Sequence, residues 1–266
     1  MPNKAILKGE DDMPFEFNIR RILSYARRAI DDYGMIKEND RIAVGVSGGK
    51  DSLALLCALT TLKKFYPVPF ELEAITMDPG FYKVGFGEES TARAGYEKIK
   101  ELCEQLEVNF TLFDTEIAKI IFDVRKEKNP CSLCARMRRG ALHDNAKILS
   151  CNKIALGHHF DDAVETFMMN LFNEGRIGCF SPVTYLDRKD ITLIRPLLYT
   201  PEKDIKYFIN HSNLPVLVSP CPMDKTSDRE RIKTLLSELD KENKGLKYRI
   251  FGAMQRANLD GFGVIE

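Results

Sequence analysis

The chain has 266 residues, and its 39 lysines and arginines are matched by 39 aspartates and glutamates, so the formal net charge is zero. Proteins that grip nucleic acid through overall charge carry a strong basic excess, so any RNA partner has to be met by a local patch. With 44% hydrophobic and 29% charged residues the composition is that of a folded chain rather than a disordered one.

The longest apolar runs, 42–46 and 53–59, fall far short of the ~20 residues that cross a bilayer, and the N-terminus has no signal-peptide core. A cytoplasmic protein with no membrane partner is expected.

In chain order, an amphipathic, arginine-rich helix is predicted over 15–33, then a strand over 41–46, a helix over 52–65 and a strand over 70–77. A polar helix over 90–106, a strand over 108–113, a strand over 153–156 and a helix over 160–172 follow. Strands separated by helices of this length imply crossover connections, hence an α/β fold with a parallel, doubly wound sheet. A short strand over 192–195 and helices over 201–210 and 228–239 complete the pattern. The expected organisation is an N-terminal helical segment (1–38), an α/β domain (39–200) and a helical extension (201–266) packed on the sheet. Ligands of such sheets bind beyond the carboxyl ends of the strands. The segments 47–52, the turn at Asp78 and 157–162 all fall there.

The first of these reads Ser47-Gly48-Gly49-Lys50-Asp51-Ser52 between a strand and a helix. Glycines let backbone N–H groups turn toward a phosphate, and a helix N-terminus adds partial positive charge. A tight strand-to-helix turn would use Gly and Ser as well, but Lys50 at the positive end of a helix is unfavourable unless an anion sits there. The string is not a Walker A loop: Gly45 is one residue too close to Gly49-Lys50, and Asp51 stands where Ser or Thr should be. It resembles the PP-loop, SGGxDS, of ATP pyrophosphatases.

In the second loop, Gly157-His158-His159-Phe160-Asp161-Asp162, carboxylates can hold the magnesium of MgATP or orient a reacting base. An acidic helix start is also ordinary capping chemistry. On a helical wheel Asp161 lies outside the polar arc, which predicts a loop or capping role for it.

Seven cysteines without a secretory signal predict reduced thiols. Cys57, Cys103 and Cys151 lie in or beside apolar elements and read as core. Cys131 and Cys134 form a lone C-x-x-C, and Cys221 lies between two prolines. Pro130 and Pro220–Pro222 predict that Cys131 and Cys221 lie outside regular helix and central strand. Three thiolates suit an iron-sulfur cluster with one iron not held by cysteine. A zinc site completed by His143 or Asp224 and a persulfide-carrying thiol pair use the same residues. Residues 125–139 hold Arg125, Lys126, Lys128, Arg136, Arg138 and Arg139 against Glu127 alone, the densest positive stretch in the chain.

Taken together, SGGKDS, CSLCARMRRG, KIALGHHFDD, IRPL, PCP and GAMQ, spread from residue 20 to 258, resemble the tRNA 2-thiocytidine synthetases of the TtcA/TtuA group. That resemblance implies a PP-loop fold that binds ATP and Mg2+, adenylates C2 of an anticodon-loop cytidine in tRNA and replaces the oxygen with sulfur. It implies a [4Fe-4S] cluster held by Cys131, Cys134 and Cys221, with Asp161 and Arg138 facing ATP and the base. A sulfur donor (a cysteine desulfurase or free sulfide) and a homodimer are implied partners. Ser47, Gly48, Gly49, Lys50, Asp51, Ser52, Asp78, Gly157, His158 and Asp162 are the candidate nucleotide-binding residues. The chain departs from the family in having Asp224 in place of a fourth cysteine, and in reading AVET after HHFDD. It lacks the terminal cysteine clusters of the relatives that make 2-thiouridine. Lysidine synthetases and amidating ligases share SGGxDS but make no use of the three cysteines.

Overall fold

The computed structural model describes residues 19–127, 130–223 and 228–264, so 15–18 of the predicted first helix, Lys128 of the basic stretch and Asp224 lie outside the described residues. Helix α1 (Arg20–Asp32) buries Ile22, Ala26, Ala29 and Ile30, the i, i+4, i+7, i+8 stripe of an amphipathic helix. Strand β1 (Asp40–Gly45) buries Ile42, Ala43 and Val44 completely, because both of its faces are covered. Helix α2 (Lys50–Lys63) is apolar all round, Leu53 to Leu59 being fully buried.

Strand β2 (Phe70–Asp78), α3 (Glu89–Gln105) and β3 (Asn109–Asp114) form the next crossover unit. A short helix α4 (Ile117–Lys119) runs through a π turn (Ile120–Val124) toward α5 (Pro130–Ile148). Then come β4 (Lys153–Ala155), α6 (Phe160–Asn173), β5 (Val183–Leu186), β6 (Ile191–Ile194), α7 (Glu202–Asn210), α8 (Asp228–Glu242) and α9 (Leu246–Arg256).

The sheet runs β3-β2-β1-β4-β6-β5, with β3, β2, β1, β4 and β6 parallel and β5 antiparallel to β6. Val44 stands opposite Ala74 on one side and Ala155 on the other. Alternation along the strands splits the core. Ile42, Val44 and Ala155 face α1, α2 and α7, whereas Ala43, Ile75, Ile154 and Leu193 face Leu142 and Ala146 of α5. Chain order reverses between β1 and β4, so a crevice opens where the loops after these two strands separate. No helix among the described residues is long and apolar enough to cross a membrane.

The expected parallel, doubly wound sheet is present and carries one antiparallel edge strand besides. Its antiparallel edge strand β5 has four residues and a mostly half-buried pattern, too little for a hydrophobic period to register. Helices α5 and α9 were not expected either. Contrary to the prediction for Cys131, Pro130 starts α5 and both Cys131 and Cys134 lie in its first turns. Proline suits the first helical position, where its missing N–H costs nothing. Cys221 lies outside regular helix and strand, as its prolines require.

At the opposite end of β1 from the glycine loop, the buried Lys153 ammonium pairs with Asp40 Oδ2 at 2.7 Å and donates to Met35 O at 2.7 Å. Removing one member of such a pair leaves the other charge buried and uncompensated. Lys153→Ala is expected to lose about 3–5 kcal/mol of stability, measured by urea unfolding, whereas Lys63→Ala, whose exposed Glu71 contact is solvent-screened, is expected to be near neutral.

Candidate active site at the strand ends

Gly48 has a left-handed φ of +81°, which an L side chain adopts only with strain. Its carbonyl accepts the Leu217 N–H at 2.9 Å, and a Cβ built on it would stand 2.7 Å from the Leu217 side chain. Ser47 and Ser52 brace the loop from inside: Ser52 Oγ accepts the Ser47 N–H at 3.2 Å and donates to Gly49 O at 2.8 Å. Gly49 caps α2 without any side-chain hydrogen bond, leaving the helix's first N–H groups directed at the crevice.

Lys50 is the positive centre of this loop. Its Nζ donates to both Asp51 oxygens at 2.8 Å and pairs with Glu202 Oε1 at 3.2 Å. Burial works against its charge, yet Asp51 and Glu202 together raise its pKa. Glu202 also pairs with Lys206 at 3.2 Å and Lys233 at 2.9 Å. Burial alone would raise its pKa; Lys233, Lys50 and Lys206 instead pull it down to about 2. One carboxylate thus holds three ammonium groups around the phosphate loop. Nothing local marks this role, since an acid after Pro201 at a helix start reads as ordinary first-turn chemistry.

The second loop lies against the first. A Cβ on Gly157 would stand 3.1 Å from the Asp51 backbone, so a larger residue would push the two touching loops apart by a few tenths of an ångström. His159 caps α6 in a reciprocal capping box: its Nδ1 accepts the Asp162 N–H, and Asp162 Oδ2 accepts the His159 N–H at 2.9 Å. That fixes the tautomer with the proton on Nε2, which lies 3.7 Å from Asp51 Oδ1. Asp162 Oδ1 accepts from Arg229 at 2.6 Å. Although burial opposes it, His159 and Arg229 lower the Asp162 pKa.

The cap of α6 is thus made by His159 and Asp162, and the capping role expected for Asp161 is found at another helix. Asp161 is the buried second residue of α6; Oδ1 accepts from Lys247 at 2.7 Å, and Oδ2 accepts the Glu202 N–H at 2.8 Å. It therefore caps α7, where Pro201 offers no side-chain acceptor. His158 packs against Phe180 with ring centroids 4.9 Å apart, and burial drives its pKa down to about 4.

Asp78 ends β2, buried, and accepts the Gly80 N–H at 2.8 Å through Oδ1, with the Tyr96 side chain as its other polar neighbour. Burial and the Asp78 charge raise the Tyr96 pKa, and Arg138 opposes them. Arg138 also acts on Cys134: burial raises that thiol's pKa, Arg138 lowers it, and Cys221 and Cys131 raise it further. The three predicted cysteine ligands and Arg138 are thus electrostatic neighbours at this end of the sheet.

The three cysteines fit an iron-sulfur group in donor type and neighbourhood, although no group of three His, Cys, Asp or Glu among the described residues is drawn to metal-binding distance. Cys131 is exposed and Cys134 and Cys221 half-buried, while Cys57, Cys103 and Cys151 are buried core thiols. Leu217 lies against Gly48 and Gly95, and Pro220 lies against Gly87, so the segment carrying Cys221 crosses the glycine loop on its way to the thiols.

Two predictions follow from these charges. Glu202→Gln removes the counter-charge of three lysines; pyrophosphate is expected to bind several-fold more tightly at low salt while the melting temperature falls, whereas Lys50→Ala is expected to lose pyrophosphate binding, both read by calorimetry. Glu165, 3% exposed with Oε1 unpartnered, is pushed up to about 7 by burial and by Asp162. Its folded pKa exceeds the unfolded value, so its contribution is complete below about 4.5 and is lost as pH rises through about 7. Glu165→Gln should therefore raise the melting temperature by roughly 2–6 °C at pH 8 and leave it unchanged at pH 4.

A PP-loop domain model matches residues 19–239. A tRNA-cytidine(32) 2-sulfurtransferase of Geobacter sulfurreducens is 41% identical over 247 residues, covering 91% of this chain and 92% of that protein. One of the same description from Geotalea uraniireducens is 40% identical, covering 88% and 90%. Among solved structures, the U34-tRNA thiolase NcsA of Methanococcus maripaludis with its [4Fe-4S] cluster aligns with a TM-score of 0.72 at 26% identity, over 90% of this chain and 78% of that one. With the glycine loop, the crossed segment and the cysteine trio on one sheet edge, these likenesses lead to one conclusion: the chain belongs to the tRNA-cytidine(32) 2-sulfurtransferase family of PP-loop proteins.

Proposed function

We propose that the chain is an ATP-dependent tRNA sulfurtransferase that adenylates and then thiolates C2 of a cytidine in the anticodon loop. The observation that carries the reading is the path of residues 212–223, which ties the phosphate loop at Gly48 to the segment bearing Cys221. It sets phosphate chemistry and thiol chemistry at one end of one sheet. The names of the relatives support the substrate class.

In this scheme the N–H groups of Gly48 and Lys50 and the Lys50 ammonium bind the β- and γ-phosphates, while the Ser47 and Gly49 N–H groups hold the loop through Ser52 and Ser47. Asp51 and Asp162, on either side of His159, supply the oxygen donors that suit the magnesium of MgATP. The cytidine O2 attacks the α-phosphorus; pyrophosphate departs with the electron pair of the broken P–O bond. Hydrosulfide then adds its electron pair to C2, the C2–O bond breaks, AMP leaves with the oxygen and its electron pair, and the sulfide proton passes to solvent. Adenylation is needed because a ring carbonyl oxygen is a poor leaving group, and Lys50 balances the charge that collects on pyrophosphate. Arg138 faces the thiols and the Tyr96–Asp78 side of the crevice, and Asp161 supports the floor by fixing α7.

A [4Fe-4S] cluster bound by Cys131, Cys134 and Cys221 would leave one iron without a cysteine, open to exogenous sulfide. The exposed arginines of α5, Arg136, Arg138 and Arg139, supply the local basic patch for tRNA phosphates. A second copy in a homodimer, a desulfurase or free sulfide as sulfur source, and a cytoplasmic setting complete the proposal.

The test is nucleoside mass spectrometry of tRNA from cells lacking the protein. Loss of 2-thiocytidine, restored by the parent but not by Lys50→Ala or Cys134→Ser, is expected, and protein purified without oxygen should be brown with about four irons per chain. Persistence of 2-thiocytidine, or a colourless protein holding one zinc, would overturn the reading.

A further inference from the structure

Arg195 follows β6 directly and is only 6% exposed. One Nη donates to Ser181 O and, at 3.3 Å, to Thr184 Oγ1, while Nε is buried without a partner among the described residues. The guanidinium lies 4.9 Å from the centroid of the Phe180 ring. Among the described residues no carboxylate pairs with it; burial first, and Arg139 next, pull its pKa down to about 10, opposed only by Cys179. It is nonetheless protonated at neutral pH. A buried permanent cation without a counter-charge is costly, and carbonyl and ring contacts do not cancel a full charge. Such a charge calls for an anion.

His158 packs on the same Phe180 ring, and its Nδ1 is buried and unpartnered among the described residues. Being neutral, it offers a hydrogen bond without adding charge. β4 and β6 are parallel neighbours with Ala155 opposite Ile194, and Leu156 N–H donates to Ile194 O at 3.0 Å. His158 and Arg195 therefore emerge together at the carboxyl ends of adjacent strands. Gly157, one residue before His158, touches the backbone of Asp51. The unpartnered pair thus stands next to the phosphate loop, on the far side from Asp78.

We infer that Arg195 and His158, sharing Phe180 as their packing surface, form a second anion subsite that takes a phosphate esterified to a nucleoside. The ester comes either from ATP, as the α-phosphate that passes to the activated base, or from the RNA backbone beside the reacting nucleotide. This assignment rests on the reading of the glycine loop as an ATP site, and it gives that loop a neighbour with a separate task. The loop grips the pyrophosphate that leaves; Arg195 holds a phosphate that remains esterified.

The test uses the full chain with Arg195→Gln and His158→Asn, their folding checked by thermal melting. Calorimetry follows AMP, pyrophosphate and an anticodon stem-loop RNA, with Lys50→Ala beside them. If the ester is that of ATP, AMP affinity falls at least tenfold in Arg195→Gln and several-fold in His158→Asn while pyrophosphate affinity holds. If it is that of RNA, AMP affinity holds, RNA affinity falls, and the slope of log K against log salt shrinks by about one. Unchanged AMP and RNA affinities in either folded variant overturn the subsite. Should Arg195→Gln not fold, the half-buried His158→Asn decides by the same criteria. Pyrophosphate binding that survives in Lys50→Ala counts instead against the phosphate-loop reading, so the two failures are distinguishable.

Discussion

The Glu202 carboxylate, held between Lys50, Lys206 and Lys233, is the constraint around which the upper end of the molecule is built. Three ammonium groups packed this closely would repel one another and the positive end of α2. Glu202 makes the arrangement tenable, and its own position is set by Asp161, which binds its backbone N–H and is bound in turn by Lys247. The phosphate loop is thereby wired to α6, α7, α8 and α9. The C-terminal helices are part of the nucleotide site's electrostatics, although none of them lies in the sheet. An incoming phosphate meets a set of cations already assembled and already compensated, so binding exchanges one anion environment for another and does not require buried charge to be created.

The division of labour among the acidic residues follows from geometry that one-dimensional spacing does not contain. Asp161 and Asp162 are adjacent in sequence, but on a helix their side chains point about 100° apart. One faces the floor and the C-terminal helices; the other faces His159 and Arg229. An adjacent pair of carboxylates that reads as a single acidic motif is in fact two separate devices, one holding the frame and one flanking the crevice.

How much of this was legible in advance depended on how local the signal was. The phosphate loop could be read because glycine, serine and lysine between a strand and a helix have few other uses, and the crossover units because helical and strand periods alternate over long enough runs. The cysteine trio was found by its prolines, yet the same reasoning misplaced Cys131, since Pro130 opens α5 rather than excluding it. Strand β5 was too short to carry a period. Glu202, Lys233, Arg229, Lys247 and Arg195 were invisible as site residues. Apart from Arg195, each acts through a partner dozens of residues away, and a charged residue in a helix or after a strand looks the same from sequence whether it faces water or a buried ion.

The hydrogen bond from Leu217 to Gly48 joins positions 169 residues apart. The glycine loop, although encoded near the start of the chain, takes its final form only when a segment from near the end lies across it. Contacts of such long sequence separation form late in folding, because a large loop must close before they repay its entropy. During synthesis on the ribosome, the sheet and α2 can therefore assemble well before the phosphate loop is finished. Nucleotide competence becomes a property of the completed polypeptide, acquired together with the segment that brings the third thiol.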